Sequence, residues 1–223
     1  MTIANTSHAK KVASVRKRMG RPPLTKNPRG RIVVTAARLF AQNGYESSSL
    51  GDLAAAMGVS KAAIYHYFST KQEIYDAIIL KVLSGLVDVV STEVAAQNTP
   101  AQKLRSFMVS HARYFETHHN EFVSMLIGFS GMTEVELKQE AVRLRDGYER
   151  MLRNIIDEGI RDGTFDQSNT VATTRCVLSM LAWMSRWFKP GAGTSAEDVV
   201  LEYYDLLMKG LEPRVTATMP PPT

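Results

Sequence analysis

The sequence predicts an all-α protein, and three observations carry that reading. Apolar residues recur at helical spacing along most of the chain, N-cap and C-cap residues bracket those stripes, and no alternating apolar–polar run of strand length occurs. Charge then divides the chain. Residues 1–45 hold ten Lys or Arg and no acid, the first acid being Glu46, while the remainder holds 17 basic against 22 acidic side chains. A basic head on an acidic body points to a polyanion as partner of the head.

In chain order, residues 1–27 are polar and basic and include Gly20-Arg21-Pro22-Pro23, which cannot continue a helix. This stretch reads as a flexible basic arm. Asn27-Pro28 places an N-cap before a proline at the first helical position, and Ile32, Ala36, Leu39 and Phe40 form a stripe that Gly44 stops. Ser49 and Asp52 stand at capping-box spacing around Leu50, Leu53, Ala54 and Met57. Gly58 ends that short helix, and Ser60 caps another expected to run to about Phe68. Two short helices across a tight glycine turn are a helix-turn-helix. Further helices are expected over 71–97, from Pro100 to the His118-His119-Asn120 cluster, over Glu121–Phe129, from about Thr133 to Glu158 with a stop at Gly159–Gly163, over 169–188, and over 196–211 behind the Ser195/Asp198 box. Residues from Pro213 read as a disordered tail.

With 223 residues, 44% of them hydrophobic and 22% charged, the chain has an ordinary globular composition. One cysteine, Cys176, cannot form an internal disulfide, which fits a reducing compartment. No apolar run is long enough to span a bilayer, and no apolar region follows the basic N-terminus as in a secretory signal. Phosphate-cradling glycine loops, His-Glu-x-x-His, paired-cysteine spacings and nucleophile elbows are all missing, so no enzyme, cofactor or metal is expected. His111, His118 and His119 read as surface histidines near a helix end rather than ligands.

On a helical wheel of residues 60–68, Ile64 and Phe68 mark the buried side. Ala62, Ala63 and His66 lie opposite, flanked by Lys61 and Tyr65. Small residues let a helix sit deep in a major groove, where an alanine methyl meets the thymine methyl. Lys61, Tyr65 and His66 can reach phosphates and so fix register. Ser48, Ser49 and Lys71 stand at helix starts, where backbone N–H groups favour phosphate.

The stretch from Arg31 to Ile78, with Ala36-Ala37-Arg38-Leu39-Phe40-Ala41-Gln42-Asn43-Gly44-Tyr45, Gly58-Val59-Ser60-Lys61, Tyr65-His66-Tyr67-Phe68 and Lys71-Gln72-Glu73, resembles the DNA-binding domain of the TetR family of transcriptional regulators. The resemblance implies an all-helical homodimer with an N-terminal three-helix DNA-binding domain and a larger C-terminal ligand-binding and dimerisation domain. It also implies a cytoplasmic, nucleoid-associated protein whose operator is double-stranded DNA. The helix matching 60–68 would enter the major groove, with Tyr65, His66 and Lys71 on the backbone. Ala62 stands where the family often has glycine. The expected division is an arm (1–27), a DNA-binding head (28–72), a body (73–212) and a tail (213–223). Gly20-Arg21-Pro22 resembles the core of an AT-hook, which would put Arg21 in a narrow A·T-rich minor groove; a non-specific phosphate tether is the alternative.

In the body, residues 176–188 are apolar nearly all round and require burial on more than one side. Val199, Tyr203, Leu206, Leu207 and Gly210 form a stripe on the last helix, so the last two helices are the expected dimer contact. Arg186 within the apolar run is either a salt-bridge partner or an anchor for an anionic ligand between Trp183 and Trp187. The segment Trp183-Met184-Ser185-Arg186-Trp187-Phe188-Lys189-Pro190-Gly191 resembles TetR-type regulators of lipid, steroid or aromatic-acid breakdown, several of which respond to acyl-CoA thioesters. Met125, Phe129, Tyr148 and Met180 complete the expected ligand lining. The function so implied is a regulator, in the main reading a repressor released by a small hydrophobic or acyl-CoA-like effector. A DNA-binding protein controlled by a protein partner is the alternative.

Overall fold

The computed structural model describes residues 27–128, 132, 134–166 and 169–211, and these hold nine α-helices and no strand. The arm with Arg21, residue Phe129 and the tail from Pro213 lie outside the described residues. Three helices, α1 (Pro28–Asn43), α2 (Leu50–Met57) and α3 (Lys61–Tyr65), form a head. The long α4 (Lys71–Ala95) leaves the head and enters a body with α5 (Pro100–Thr117), α6 (His119–Gly128), α7 (Val135–Arg161), α8 (Thr170–Trp187) and α9 (Ala196–Leu211).

Capping chemistry fixes most of these boundaries. Asn27 accepts from the Gly30 N–H at 2.9 Å, and the Ser49–Asp52 and Thr99–Gln102 boxes both close. Gly58 takes the left-handed conformation, φ 68°, and its N–H and that of Val59 return to carbonyls of α2. At the far end, the Ala196 N–H donates to Glu116 and a bidentate Arg113–Glu197 pair binds α9 to α5.

Two apolar cores result. The head core gathers Ile32, Ala36, Ala37, Phe40, Leu53, Ile64 and Phe68 against Ile74, Tyr75 and Ile78 of α4. The body core gathers Val82, Leu86 and Val90 of α4 with Leu104, Phe107, Phe115, Leu152, Ile156 and Val177. Helix α4 therefore supplies both, and the head core continues into Met132 and Ala141. Helix α6 of the body packs on α1 of the head.

Two local expectations are corrected. Helix α3 ends at Tyr65, not Phe68, because Ser69 and Thr70 already belong to the next N-terminus: the Ser69 N–H donates to the Glu73 carboxylate and Thr70 accepts from the Glu73 N–H. Helix α6 begins at His119, two residues before Glu121. Helix α7 ends at Arg161, inside the expected Gly159–Gly163 stop, with the turn at Gly163, φ 80°. Gly159, within the last turns of that helix, serves close packing, since a Cβ there would overlap the buried Phe165 ring. Gly159→Ala is expected to cost about 1–3 kcal/mol in urea unfolding through overpacking. Gly147→Ala, exposed mid-helix with open space around the missing Cβ, is expected to gain about 0.5–1 kcal/mol.

Candidate nucleic-acid interface

The helix-turn-helix is held from behind and open in front. Ile64 and Phe68 are buried, while Lys61, Ala62, Tyr65 and His66 are exposed and Ala63 is half-buried. The Ser60 hydroxyl accepts from the Ala63 N–H, which starts α3. The Lys61 ammonium stands 5.7 Å from the Tyr65 ring centre and the His66 ring meets Tyr67 edge-on, so the front face carries donors on aromatic supports. Ser49 is exposed, but its hydroxyl donates to Asp52, whose carboxyl is held below its usual range by the Ser49 bonds. Ser48 is 3% exposed and its hydroxyl donates to the Gly44 carbonyl, so it secures the turn after α1 and presents no free hydroxyl in front.

Lys71 is turned inward. Its ammonium donates to the Tyr45 carbonyl at 2.7 Å and lies 4.1 Å over the Tyr45 ring, clamping the α1–α2 turn onto the start of α4. The Tyr45 hydroxyl donates to Gln72, and Gln72 donates to the buried Asp76. Burial pushes the Asp76 carboxyl up, against the lowering effect of the Gln72 bond.

Arg29 is a basic residue that sequence reasoning passes over. It sits in the first turn of α1, which carries no acid, and its guanidinium lies 4.7 Å from the Phe68 ring centre. A cation at a helix N-terminus opposes the macrodipole, and that misfit is the available signal.

Among the described residues, the body does not bring the expected ligand residues into one site. Met125 is half-buried between the two cores, Tyr148 lies inside the body, and Phe129 is outside the described residues. Met180, Trp183, Arg186 and Trp187 lie on α8, where Trp183 is 65% exposed and Arg186 is exposed as well. The buried face of α8 is Thr174, Val177, Leu181 and Met184, so its second apolar face is open in the single chain. An open groove of about 460 Å³ runs between α8 and α9, lined by Cys176, Met180, Leu206, Leu207 and Gly210 among others.

Of the three histidines, His118 and His119 are half-buried at the α5–α6 helix ends, while His111 is buried and not a surface residue. His118 bonds the Tyr114 carbonyl and His119 the Phe188 carbonyl, each at a helix junction. His111 is 7% exposed and shares a 2.9 Å hydrogen bond with the Tyr148 hydroxyl, and the Tyr148 ring stacks on Phe107. No group of metal-ligating side chains forms among the described residues, and no described helix is long and apolar enough to cross a membrane.

Comparison with known proteins identifies the scaffold. Residues 32–78 match the tetR family of bacterial regulatory proteins, and residues 97–211 match the tetracyclin repressor-like C-terminal domain. The chain belongs to the TetR family. The crystal structure of the TetR family regulator PfmR from Thermus thermophilus is 43% identical, covering 82% of this chain and 99% of that one, with a TM-score of 0.77. The transcriptional repressor KstR2 of Mycolicibacterium smegmatis is 24% identical over 82% of this chain and 90% of its own. AibR, solved with isovaleryl coenzyme A and operator DNA, shares the fold at 22% identity, with a TM-score of 0.72 over 81% of this chain and 97% of that one. As a TetR-family member this chain is a DNA-binding transcriptional regulator and not an enzyme.

Burial of His111 has a measurable consequence. An imidazole in the unfolded chain takes its proton near 6.5, whereas burial lowers His111 to about 4. Unfolding therefore takes up a proton between those values, and stability falls as pH drops through that window and is level above it. Relative to His111→Phe, the protein is expected to lose about 3 kcal/mol of unfolding free energy from pH 6.5 to pH 4, measured by urea titration.

Proposed function

We propose that this regulator is a homodimeric repressor that leaves its operator when a small, largely apolar effector enters the body. The observation that carries the reading is that α6 belongs to both halves. Its Ser124 hydroxyl donates to the Ala37 carbonyl of α1 at 2.7 Å, and Tyr75 of α4 donates to the Ser124 carbonyl at 3.0 Å and the Met125 carbonyl at 3.2 Å. Phe122, two residues earlier, packs on His111 inside the body. A ligand that favours a different seating of α6 shifts the head toward an arrangement that no longer fits two half-sites. Relatives add support. KstR2 carries the name of repressor, and AibR was solved with an acyl-coenzyme A and operator DNA together.

In this reading α3 lies in the major groove with Ala62 and Ala63 at the base edges. Lys61, Tyr65, His66, Arg29 and the N-terminus at Ser49 hold phosphates, and Arg21 of the arm enters a flanking minor groove. Lys71 acts one step back, by fixing the turn that carries Ser49. The open apolar face of α8 and α9, with Trp183, Met180 and Leu206, is closed by the same face of a second copy. Arg186, on the rim of that face, is then a salt-bridge partner across the dimer.

Two measurements test this. On duplexes selected from a random library, Lys61→Ala is expected to weaken selected and unselected sequences alike, by about 5- to 10-fold, and to reduce the salt slope by about one. Ala62→Leu is expected to remove the preference for the selected sequence while sparing non-specific binding; equal losses on both would reject groove insertion. In native mass spectrometry the wild type is expected as a dimer and Trp183→Glu as a folded monomer with much weaker operator binding. A wild-type monomer, or a Trp183→Glu dimer, would reject the α8–α9 interface.

A further inference from the structure

Of the two buried acids among the described residues, Glu121 has Lys81 at 3.3 Å and Asp76 has no cation. Asp76 is 2% exposed and sits on α4 between Tyr75 and Ile78 of the head core. Its only hydrogen bond among the described residues comes from the Gln72 amide at 2.8 Å. No described Lys, Arg or His of α4, the α1–α2 turn, α6 or α7 pairs with it, and Lys71, five residues before it, is committed to the Tyr45 carbonyl. The charges that act on Asp76 are negative: Glu134 at the start of α7 and Glu73 on its own helix. Tyr45, whose hydroxyl reaches Gln72, is the neutral titratable group on the remaining side. Glu73 already accepts from the Ser69 N–H. Glu134 is exposed, makes no capping bond for α7 and has no ion-pair partner among the described residues. Helix α7 packs along α4, and Met132 and Ala141, before and after Glu134 in the chain, belong to the head core. Two carboxylates thus stand close across the seam of head and body.

A buried carboxylate with like charges beside it and no cation costs stability, so packing alone favours an amide or an apolar residue here. We propose that Asp76 and Glu134 form a proton-operated contact between head and body. With Asp76 ionised, the start of α7 is pushed from α4 and the seam opens readily. With Asp76 protonated, the seam closes and the head is held in its operator-binding pose. This rests on the repressor reading above, in which the resting seat of the head on the body is the one that fits the operator. Asp76 is the member that takes the proton, because burial penalises its charge, whereas Glu134 is solvated and stands at the positive end of α7. The effect reaches the reading helices through Gln72. An ionised Asp76 only accepts, so Gln72 turns Nε2 to it and offers Oε1 to the Tyr45 hydroxyl; a protonated Asp76 donates, and the amide is free to turn over. Tyr45 in turn carries the Lys71 clamp on the turn before α2. Repulsion at neutral pH therefore lowers the differential affinity an effector needs to release the head.

The test follows operator affinity and Tm of the full chain from pH 5.0 to pH 7.5 at constant ionic strength, on the selected duplex. Asp76 takes its proton more readily in the fold than in the unfolded chain, so its ionisation removes stability as pH rises. Asp76→Asn, neutral and of the same shape, is expected at pH 7.5 to raise Tm and to tighten operator binding about three- to tenfold, the gap to wild type closing toward pH 5.0. Glu134→Gln, which keeps Asp76, is expected to tighten binding at pH 7.5 by a smaller factor and to move the pH profile to lower pH. A merely structural Asp76 would not move that profile. All three proteins keep His66 and His111, so histidine titration cancels in the ratios. A higher Tm in Asp76→Asn without tighter operator binding, or an affinity ratio that stays constant across the range, overturns the proposal and leaves the repressor reading intact. Weaker binding by Asp76→Asn at every pH overturns it as well. A wild type with no preference for the selected duplex at any pH overturns both.

Discussion

One buried hydrogen bond organises this molecule: the Ser124 hydroxyl of α6 on the Ala37 carbonyl of α1. A serine with no exposure, in an interface otherwise built from apolar side chains, needs such an acceptor to be tolerated. Tyr75 adds a second tie from α4 to the C-terminal half of the same helix. Three helices, one from the head, one from the body and one shared by both, are thereby locked at one point. Behind it, the rings of Tyr75, Tyr45 and Phe40 pack together, and Tyr45 leads to Lys71 and so to the turn that carries the reading helices.

These bonds specify more than they stabilise. Each accepting carbonyl lies in a helix and can keep its intrahelical partner, so removing a side-chain donor leaves no orphan acceptor and costs only about 1 kcal/mol. Apolar contacts supply the adhesion between head and body, but they permit sliding of a helix along its groove. A directional bond does not.

Much of this is legible in the sequence because it depends on local chemistry. Asn27-Pro28, the Ser49–Asp52 pair and Gly58 fix the head helices through groups a few residues apart, and the resemblance from Arg31 to Ile78 locates the reading face. The packing role of Gly159 is not legible, because its partner, Phe165, comes into contact only after the chain has turned. Lys71 and Ser48 are the right residue types for phosphate, yet the fold commits them to carbonyls at Tyr45 and Gly44. His111 reads as a surface residue because its partner is 37 residues away on another helix. The apolar character of 176–188 is visible in the sequence, but not which face the chain itself covers and which it leaves open.

If the α6 contact sets where the head sits on the body, loosening it must free the head. The most direct measurement is the head-to-body distance distribution by electron–electron double resonance, with spin labels at the exposed residues Gln42 and Asn154, Cys176 replaced by serine, and labelled chains diluted in unlabelled protein. One narrow distance is expected, which broadens or splits in Ser124→Ala/Tyr75→Phe while Tm falls by only about 4–8 °C. A distribution that keeps its position and width in the double variant would contradict that role for α6.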